Sequence, residues 1–160
     1  TSGLLIIAKN DAAHNILAEQ IKLHSFTREY RAVNCGRFKE PSGTVDAPIG
    51  RSKYDRKKMC VTQQNSKRAV THYEVIEEFG QYSMLKFRLE TGRTHQIRVH
   101  FAYIGHPLAG DDLYGGSTED ICCQALHCGL LCFREPLTGK EITVTSPLRD
   151  DIQKLIEKEG

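Results

Sequence analysis

Three rhythms of apolar positions run along this chain. The first is an unbroken run, Leu4-Leu5-Ile6-Ile7-Ala8, which predicts a central strand apolar on both faces. The second is helical. Ala13, Leu17 and Ile21 follow Asn10 and Asp11, which predicts a helix that starts at that pair and runs to about residue 24. The third is alternation. Residues 28–36 read as a strand, and 69–79 with 82–90 read as a hairpin around Gly80-Gln81. In its second arm Leu85, Phe87 and Leu89 alternate with Met84, Lys86 and Arg88, the mark of a half-buried strand.

The helical rhythm returns after the hairpin. Ile97, Phe101 and Ile104 line one stripe, with Thr94 placed to cap the helix and Gly105 placed to stop it. On that helix Arg98 lies about 100° from the stripe and His95 about 160°. Both are expected to point away from the core or along the edge of a cleft. A Gly/Pro/Asp loop covers 105–116, strands cover 125–133 and 141–145, and Ser146-Pro147 opens a last helix with Ile152, Leu155 and Ile156 inward. Residues 40–68 are polar, with Pro41, Gly43, Pro48 and Gly50, and read as a long connecting excursion. Strands outnumber helices and hairpins dominate. The expected class is therefore α+β, a mainly antiparallel sheet flanked by helices, in one domain over 1–160.

Composition narrows this picture. A chain of 160 residues, 39% hydrophobic and 26% charged, can bury a core of its own and is neither disordered nor collagen-like. No apolar run nears the ~20 residues of a membrane-spanning helix. No basic-then-apolar leader opens the chain, and its start at Thr1-Ser2-Gly3 reads as that of a processed or excised piece. Cysteines 35, 60, 122, 123, 128 and 132 lack the paired spacing of a zinc site. They are expected to be reduced, mostly buried thiols of a cytoplasmic protein.

Charge is uneven. Residues 28–68 hold 11 Lys/Arg and 4 Asp/Glu, a balance of +7, whereas 111–160 hold 5 and 10, a balance of −5. The basic stretch carries Arg51, Lys53, Arg56, Lys57 and Lys58 in one loop-like run, which suits a polyanion through phosphate contacts, or simply a solvated loop.

Standard phosphate cradles are missing, since neither GxGxxG nor GxxxxGK[ST] occurs. His95 and His100 are five apart, a turn of about 500°, so they share no helix face and a metal site is not expected. Asp111 and Asp112 read as turn residues. The density of residues 88–116 stands out: three arginines, three histidines and five glycines surround one short helix.

This segment resembles a known family. TGRTHQIRVHFAYIGHPLAGDDLYGG (91–116) closely resembles the signature of the RluA-type pseudouridine synthases. TSGLLIIAKN (1–10) resembles the tail of that family's catalytic motif, and EYRAVNCG (29–36) its tyrosine-bearing strand. APIGRSKYDRKKMCV (47–61), SKRAVTHYEV (66–75) and ALHCGLLCFREPLTGKEITVTSPL (125–148) resemble its connecting and C-terminal segments, so the likeness covers essentially the whole chain.

The resemblance implies an enzyme that isomerises uridine to pseudouridine in structured RNA, rRNA or tRNA, with no cofactor and no metal. The N1–C1′ bond breaks, the uracil turns, and C5 joins C1′. The target nucleotide leaves its stack to be reached. By the same resemblance Tyr30 is the active-site tyrosine, able to stack on the base and to serve proton transfer at C5. Arg98 matches the arginine that pairs with the family's essential aspartate and keeps it ionised. Arg93 and His95 match positions that suit RNA-phosphate contacts or contacts that hold the fold, and the basic run from Arg51 to Lys58 becomes an RNA-backbone contact. Asp111 belongs to the signature and is expected to hold a turn. The aspartate itself stands in HRLDxxTSG. The Thr of that motif matches Thr1, so the aspartate would lie three places before Thr1, outside this chain. The expectation is a catalytic domain truncated at its N-terminus and inactive alone. Two other readings stand beside it: a non-catalytic RNA-binding module with the same fold, and, remotely, a Cys/His hydrolase.

Overall fold

The computed structural model describes residues 1–160. Strand β1 (Ser2–Gly3) leads through an extended segment to helix α1 (Asp11–Lys22) and strand β2 (Thr27–Cys35). Then come β3 (Ser42–Asp46), β4 (Ile49–Arg51), β5 (Met59–Val61) and β6 (Ser66–Lys67). The hairpin β7 (Val70–Phe79) and β8 (Tyr82–Leu89) precedes helix α2 (Gln96–Tyr103) and a 3-10 turn at Asp112–Tyr114. Strands β9 (Leu126–Arg134) and β10 (Glu141–Thr145) and helix α3 (Asp150–Glu159) complete the chain.

Seven strands form one sheet in the order β1-β9-β2-β8-β7-β3, with β10 also on β9. Every pairing in it is antiparallel except β1 with β9. Strands β5-β4-β6 make a separate small sheet. The α+β class with a mainly antiparallel sheet is what the rhythm of the sequence predicts.

Local chemistry accounts for the elements. Asn10 Oδ1 accepts the Ala13 N–H at 2.8 Å, Asp11 sits in the first turn of α1 and Lys22 in the last. Gly80, at φ +53°, makes the two-residue turn of the β7–β8 hairpin. Alternation in β8 puts Leu85 and Phe87 into a core shared with Ala32, Val45, Ile97 and Phe101, on the face that α2 covers. The opposite face carries Val33 and Met84 against Ala109, Ile121, Ile152 and Leu155, the last two from α3. Tyr82, buried and hydrogen-bonded to Asp120 at 2.5 Å, has its phenol pushed up to about 12. Lys158 of α3 reaches the same carboxylate at 2.8 Å.

Four expectations are corrected. Residues 4–8 are not a central strand. Beyond Cys128 the free side of β9 is taken by β10, from Leu130↔Thr145 to Arg134↔Glu141, so the run has no ladder to join after Gly3. Leu4, Ile6 and Ala8 pack on Leu17, Phe26 and Leu131, while Leu5 is 82% and Ile7 77% exposed.

The excursion 40–68 carries four short strands, which hold 13 of its 29 residues. Its strands of two to five residues are too short for alternation to betray.

Helix α2 is buried from Gln96 to Phe101 on every side, not along one stripe; Arg98 is buried with it, at the edge of a cleft, which is one of the two places expected for it. It also begins one residue later than a Thr94 cap implies, with His95 as the cap in a left-handed conformation (φ +56°). The cysteines are all free, but only Cys128 is buried, and Cys122 and Cys123 are exposed.

A polar network holds the approach to α2. The buried Gln96 amide donates to Val70 O and Thr71 Oγ1, both at 3.0 Å, and its Oε1 accepts from Thr91 Oγ1 and the Arg93 N–H. Thr71 Oγ1 lies 2.8 Å from His100 Nδ1, and His100 Nε2 lies 2.8 Å from Ala47 O. The carbonyl needs a donor, so Nε2 carries the proton and the Thr71 hydroxyl donates to Nδ1. Burial holds His100 below its ordinary 6.5, and His95 is lowered for the same leading reason.

Below about pH 6.5 the unfolded chain therefore binds more protons than the folded one. The stability that the neutral rings contribute is complete above that pH and is lost as pH falls toward their folded values. Urea unfolding is expected to show stability falling between about pH 7 and pH 5, by at most ~1.4 kcal/mol per pH unit for each ring. His100→Gln should flatten that slope, whatever it does to stability at neutral pH. An unchanged slope would contradict the buried neutral ring.

Candidate active site

A cleft of about 450 Å³ opens where the first residues of the chain meet β2, β9 and the start of α2. Thr1 to Leu5 form one wall, Arg93 and His95 to Arg98 another, and Tyr30, Leu126 and Cys128 also line it. Tyr30 reaches the cleft because it lies on the core face of β2, opposite Phe87 on β8 and Cys128 on β9. Burial raises the Tyr30 phenol above its ordinary value, and the Cys128 thiol beside it adds to the rise. The phenol is thus a neutral O–H at physiological pH. Burial also raises the Cys128 thiol, which makes it a poor nucleophile.

Arg98 sits in the first turn of α2 with only 8% of its surface exposed. Its Nε and Nη2 donate to Oδ2 and Oδ1 of Asp111, both at 2.8 Å, in a bidentate pair. That pairing raises the arginine still further above its ordinary value. Asp111 is itself buried, in the bend that follows Gly110 (φ +75°). A Cβ at Gly110 would meet the carbonyl of Cys123 at 2.2 Å, so only glycine lets the chain pass there.

The Tyr114 ring lies under the guanidinium, 5.0 Å from Cζ to the ring centroid. Its hydroxyl accepts the Met59 N–H of β5 at 3.0 Å and lies 2.7 Å from His95 Nδ1. The hydroxyl thus joins the Met59 amide and the His95 ring through one oxygen. Burial and the charge of Arg98 keep His95 neutral. This bond helps to hold a backbone conformation that costs a non-glycine residue roughly 1–2 kcal/mol.

The structure therefore brings Tyr30, Arg98, Arg93 and His95 to one cleft. Arg51, Lys53, Arg56, Lys57 and Lys58 do not line it. They occupy β4 and the turn that joins it to β5, where Ser52 Oγ accepts the Tyr54 and Asp55 N–H groups and Asp55 accepts that of Lys57. None of the five pairs with a carboxylate, although Lys53 bonds the Gln64 amide.

Three residues escape a reading of the sequence alone. Asp111 was expected to hold a turn, and it also carries the counter-charge of Arg98; no spacing rule links positions thirteen apart across a loop. Tyr114 joins three elements through one hydroxyl. Tyr54 is fully exposed among the cations of the β4–β5 turn, and an aromatic amid lysines was the signal for it.

In fold the chain is similar to the solved Human RNA Pseudouridylate Synthase Domain Containing 1. The TM-score is 0.75 and the identity 27%, over 94% of this chain and 72% of that one. Residues 1–103 match the family model described as RNA pseudouridylate synthase. This chain belongs to the RNA pseudouridylate synthase family, in its RluA-type branch.

Among curated relatives, the Uncharacterized RNA pseudouridine synthase YlyB of Bacillus subtilis (strain 168) is 51% identical over 158 residues, 98% of this chain and 52% of that protein. Ribosomal large subunit pseudouridine synthase D of Vibrio vulnificus (strain CMCP6) is 42% identical over 171 residues, 98% and 52% of the two chains. The chain spans about half the length of the curated relatives it matches.

Breaking the ion pair from one side leaves a buried charge alone. Asp111→Ala is expected to cost about 3–5 kcal/mol in urea unfolding, whereas the volume-keeping pair Arg98→Met with Asp111→Leu should cost clearly less. Equal losses would show that packing, and not the uncompensated charge, governs this site.

Proposed function

We propose that this chain supplies the base cleft and the RNA-backbone contacts of an enzyme that isomerises uridine to pseudouridine in structured RNA, rRNA or tRNA. One observation carries the reading: Thr1, Tyr30 and Arg98 line the same cleft. In this reading the carboxylate three places before Thr1, a span of at most about 10 Å of extended chain, sits against the Arg98 guanidinium in the cleft that Thr1 and Arg98 share. Asp111 uses the Nε and Nη2 edge of the guanidinium, which leaves Nη1 for a second carboxylate.

In this scheme a flipped uridine enters the cleft and stacks against Tyr30. The aspartate, kept ionised by Arg98, supports C1′ as the N1–C1′ bond breaks and its electron pair passes to the uracil. The ring turns, C5 bonds to C1′, the C5 proton departs and N1 gains one, so the product is an isomer. Tyr30, neutral at physiological pH, acts as a relay that takes a proton on the C5 side as it gives up its own. The cations from Arg51 to Lys58 hold the backbone outside the cleft, and Arg93 and His95 contact RNA at its rim. The compartment we propose is the cytoplasm, which six unpaired thiols suit.

The test compares the 160-residue chain with a version extended upstream through an HRLDxx segment. Pseudouridine in a uridine-containing RNA is expected from the extended protein alone. In that protein Tyr30→Phe and Arg98→Ala should each lower kcat about 100-fold or more while RNA affinity changes far less. Turnover by the 160-residue chain would overturn the place given to the aspartate. RNA binding without turnover by the extended protein would favour the binding-module reading.

A further inference from the structure

We propose that a second cleft, beside the base cleft, binds one backbone phosphate of the RNA, that of the nucleotide adjacent to the one whose base is held. The inference rests on the functional reading above. This cleft encloses about 320 Å³ between the small sheet and residues 92–94, and Arg51, Lys67 and Arg93 line it with no carboxylate among its walls.

Register explains why the three cations converge. In the small sheet Ile49 lies opposite Lys67, and Arg51 opposite Met59. Residues directly opposite, and residues two apart on one strand, share a face. Ile49, Arg51, Met59 and Lys67 therefore occupy one face, and Ile49 and Met59 pack there with Val99 of α2. That face is turned toward the body of the protein, so Arg51 and Lys67 stand at its rim, facing the 92–94 segment across the cleft. Lys53, Lys57 and Arg56 sit in the turn beyond β4 and do not line it.

Arg93 comes from the opposite wall. Its Nε donates to the Arg68 carbonyl at 2.9 Å, which fixes the guanidinium and leaves both Nη groups without a protein partner. Neighbouring Arg68 is spent on Glu90 at 3.6 Å, but Arg51, Lys67 and Arg93 have no carboxylate partner. Three like charges around a small cleft repel one another, and an anion with several acceptor oxygens relieves that repulsion through charge-assisted hydrogen bonds. Arg93 lines the base cleft as well. The two clefts share one wall, and a chain that crosses it passes from one nucleotide to the next.

The experiment measures binding of a single-stranded RNA nonamer with one central uridine among adenosines, in which each phosphate in turn is replaced by a neutral methylphosphonate. The full-length, aspartate-bearing protein is compared with its Lys67→Gln variant and its Lys67→Gln, Arg93→Gln variant. Lys67 is exposed and makes no side-chain hydrogen bond, so its substitution leaves the fold intact. In the parent, one replacement flanking the uridine is expected to weaken binding about 10-fold. The double variant should bind the unmodified RNA about 10-fold more weakly, with a salt slope smaller by about 0.7 for each cation lost. In that variant, where Arg51 alone remains, the same replacement should cost clearly less than it does in the parent.

Losses that multiply at every position, or a non-additive position far from the uridine, would overturn the proposal. Non-additivity beside the uridine with no pseudouridine formed would leave the phosphate site standing and overturn the functional reading. A parent that ignores the nonamer would overturn both.

Discussion

The buried pair of Arg98 with Asp111 is the interaction on which the rest of this site depends. Two charges taken out of water add little net stability, but each becomes costly without the other. The pair therefore acts as a geometric lock. It ties the first turn of α2 to the bend after Gly110, and the Tyr114 ring closes on the guanidinium from below. The Tyr114 hydroxyl then reaches both the Met59 amide of the small sheet and His95 at the rim of the cleft. One ion pair thus fixes the helix, the loop, the basic sheet and the cleft wall relative to each other, with one edge of the guanidinium still free.

From that lock follows a division of charge. Cations used by the fold are paired: Arg98 with Asp111, Arg68 with Glu90, Lys158 with Asp120. Cations of the small sheet and its turn are not, and they lie beside the cleft that Tyr30 lines. Phosphate contacts give affinity without reading sequence, while a stacked, flipped base gives the chemistry its substrate. In the proposed reading the two tasks meet at Arg93, which lines both clefts.

Much of the fold was legible in the sequence wherever one period dominated. The β7–β8 hairpin announced itself through Leu85, Phe87 and Leu89 and through the Gly80 turn, and α1 through the Asn10 cap. Reading failed where tertiary context overrode the local pattern. The run from Leu4 to Ala8 has the composition of a central strand, but the neighbouring edge of β9 belongs to β10. Helix α2 shows an apolar stripe, but it is enclosed on all sides, so Arg98 is buried even where it lines the cleft. The strands of the small sheet are too short to show a period. In the site, the resemblance pointed to Tyr30 and Arg98 as residues. The partnership of Arg98 with Asp111, and the hub at Tyr114, needed coordinates, because nothing in their spacing marks a contact across a loop.

The most direct test of the central claim is a crystal structure of the aspartate-bearing protein with a uridine-containing RNA. The account predicts the target base stacked on Tyr30, the aspartate carboxylate at hydrogen-bond distance, about 3 Å, from Arg98 Nη1, and the Arg98–Asp111 pair unbroken. A base bound outside this cleft, or an aspartate that displaces Asp111 from the guanidinium, would contradict it.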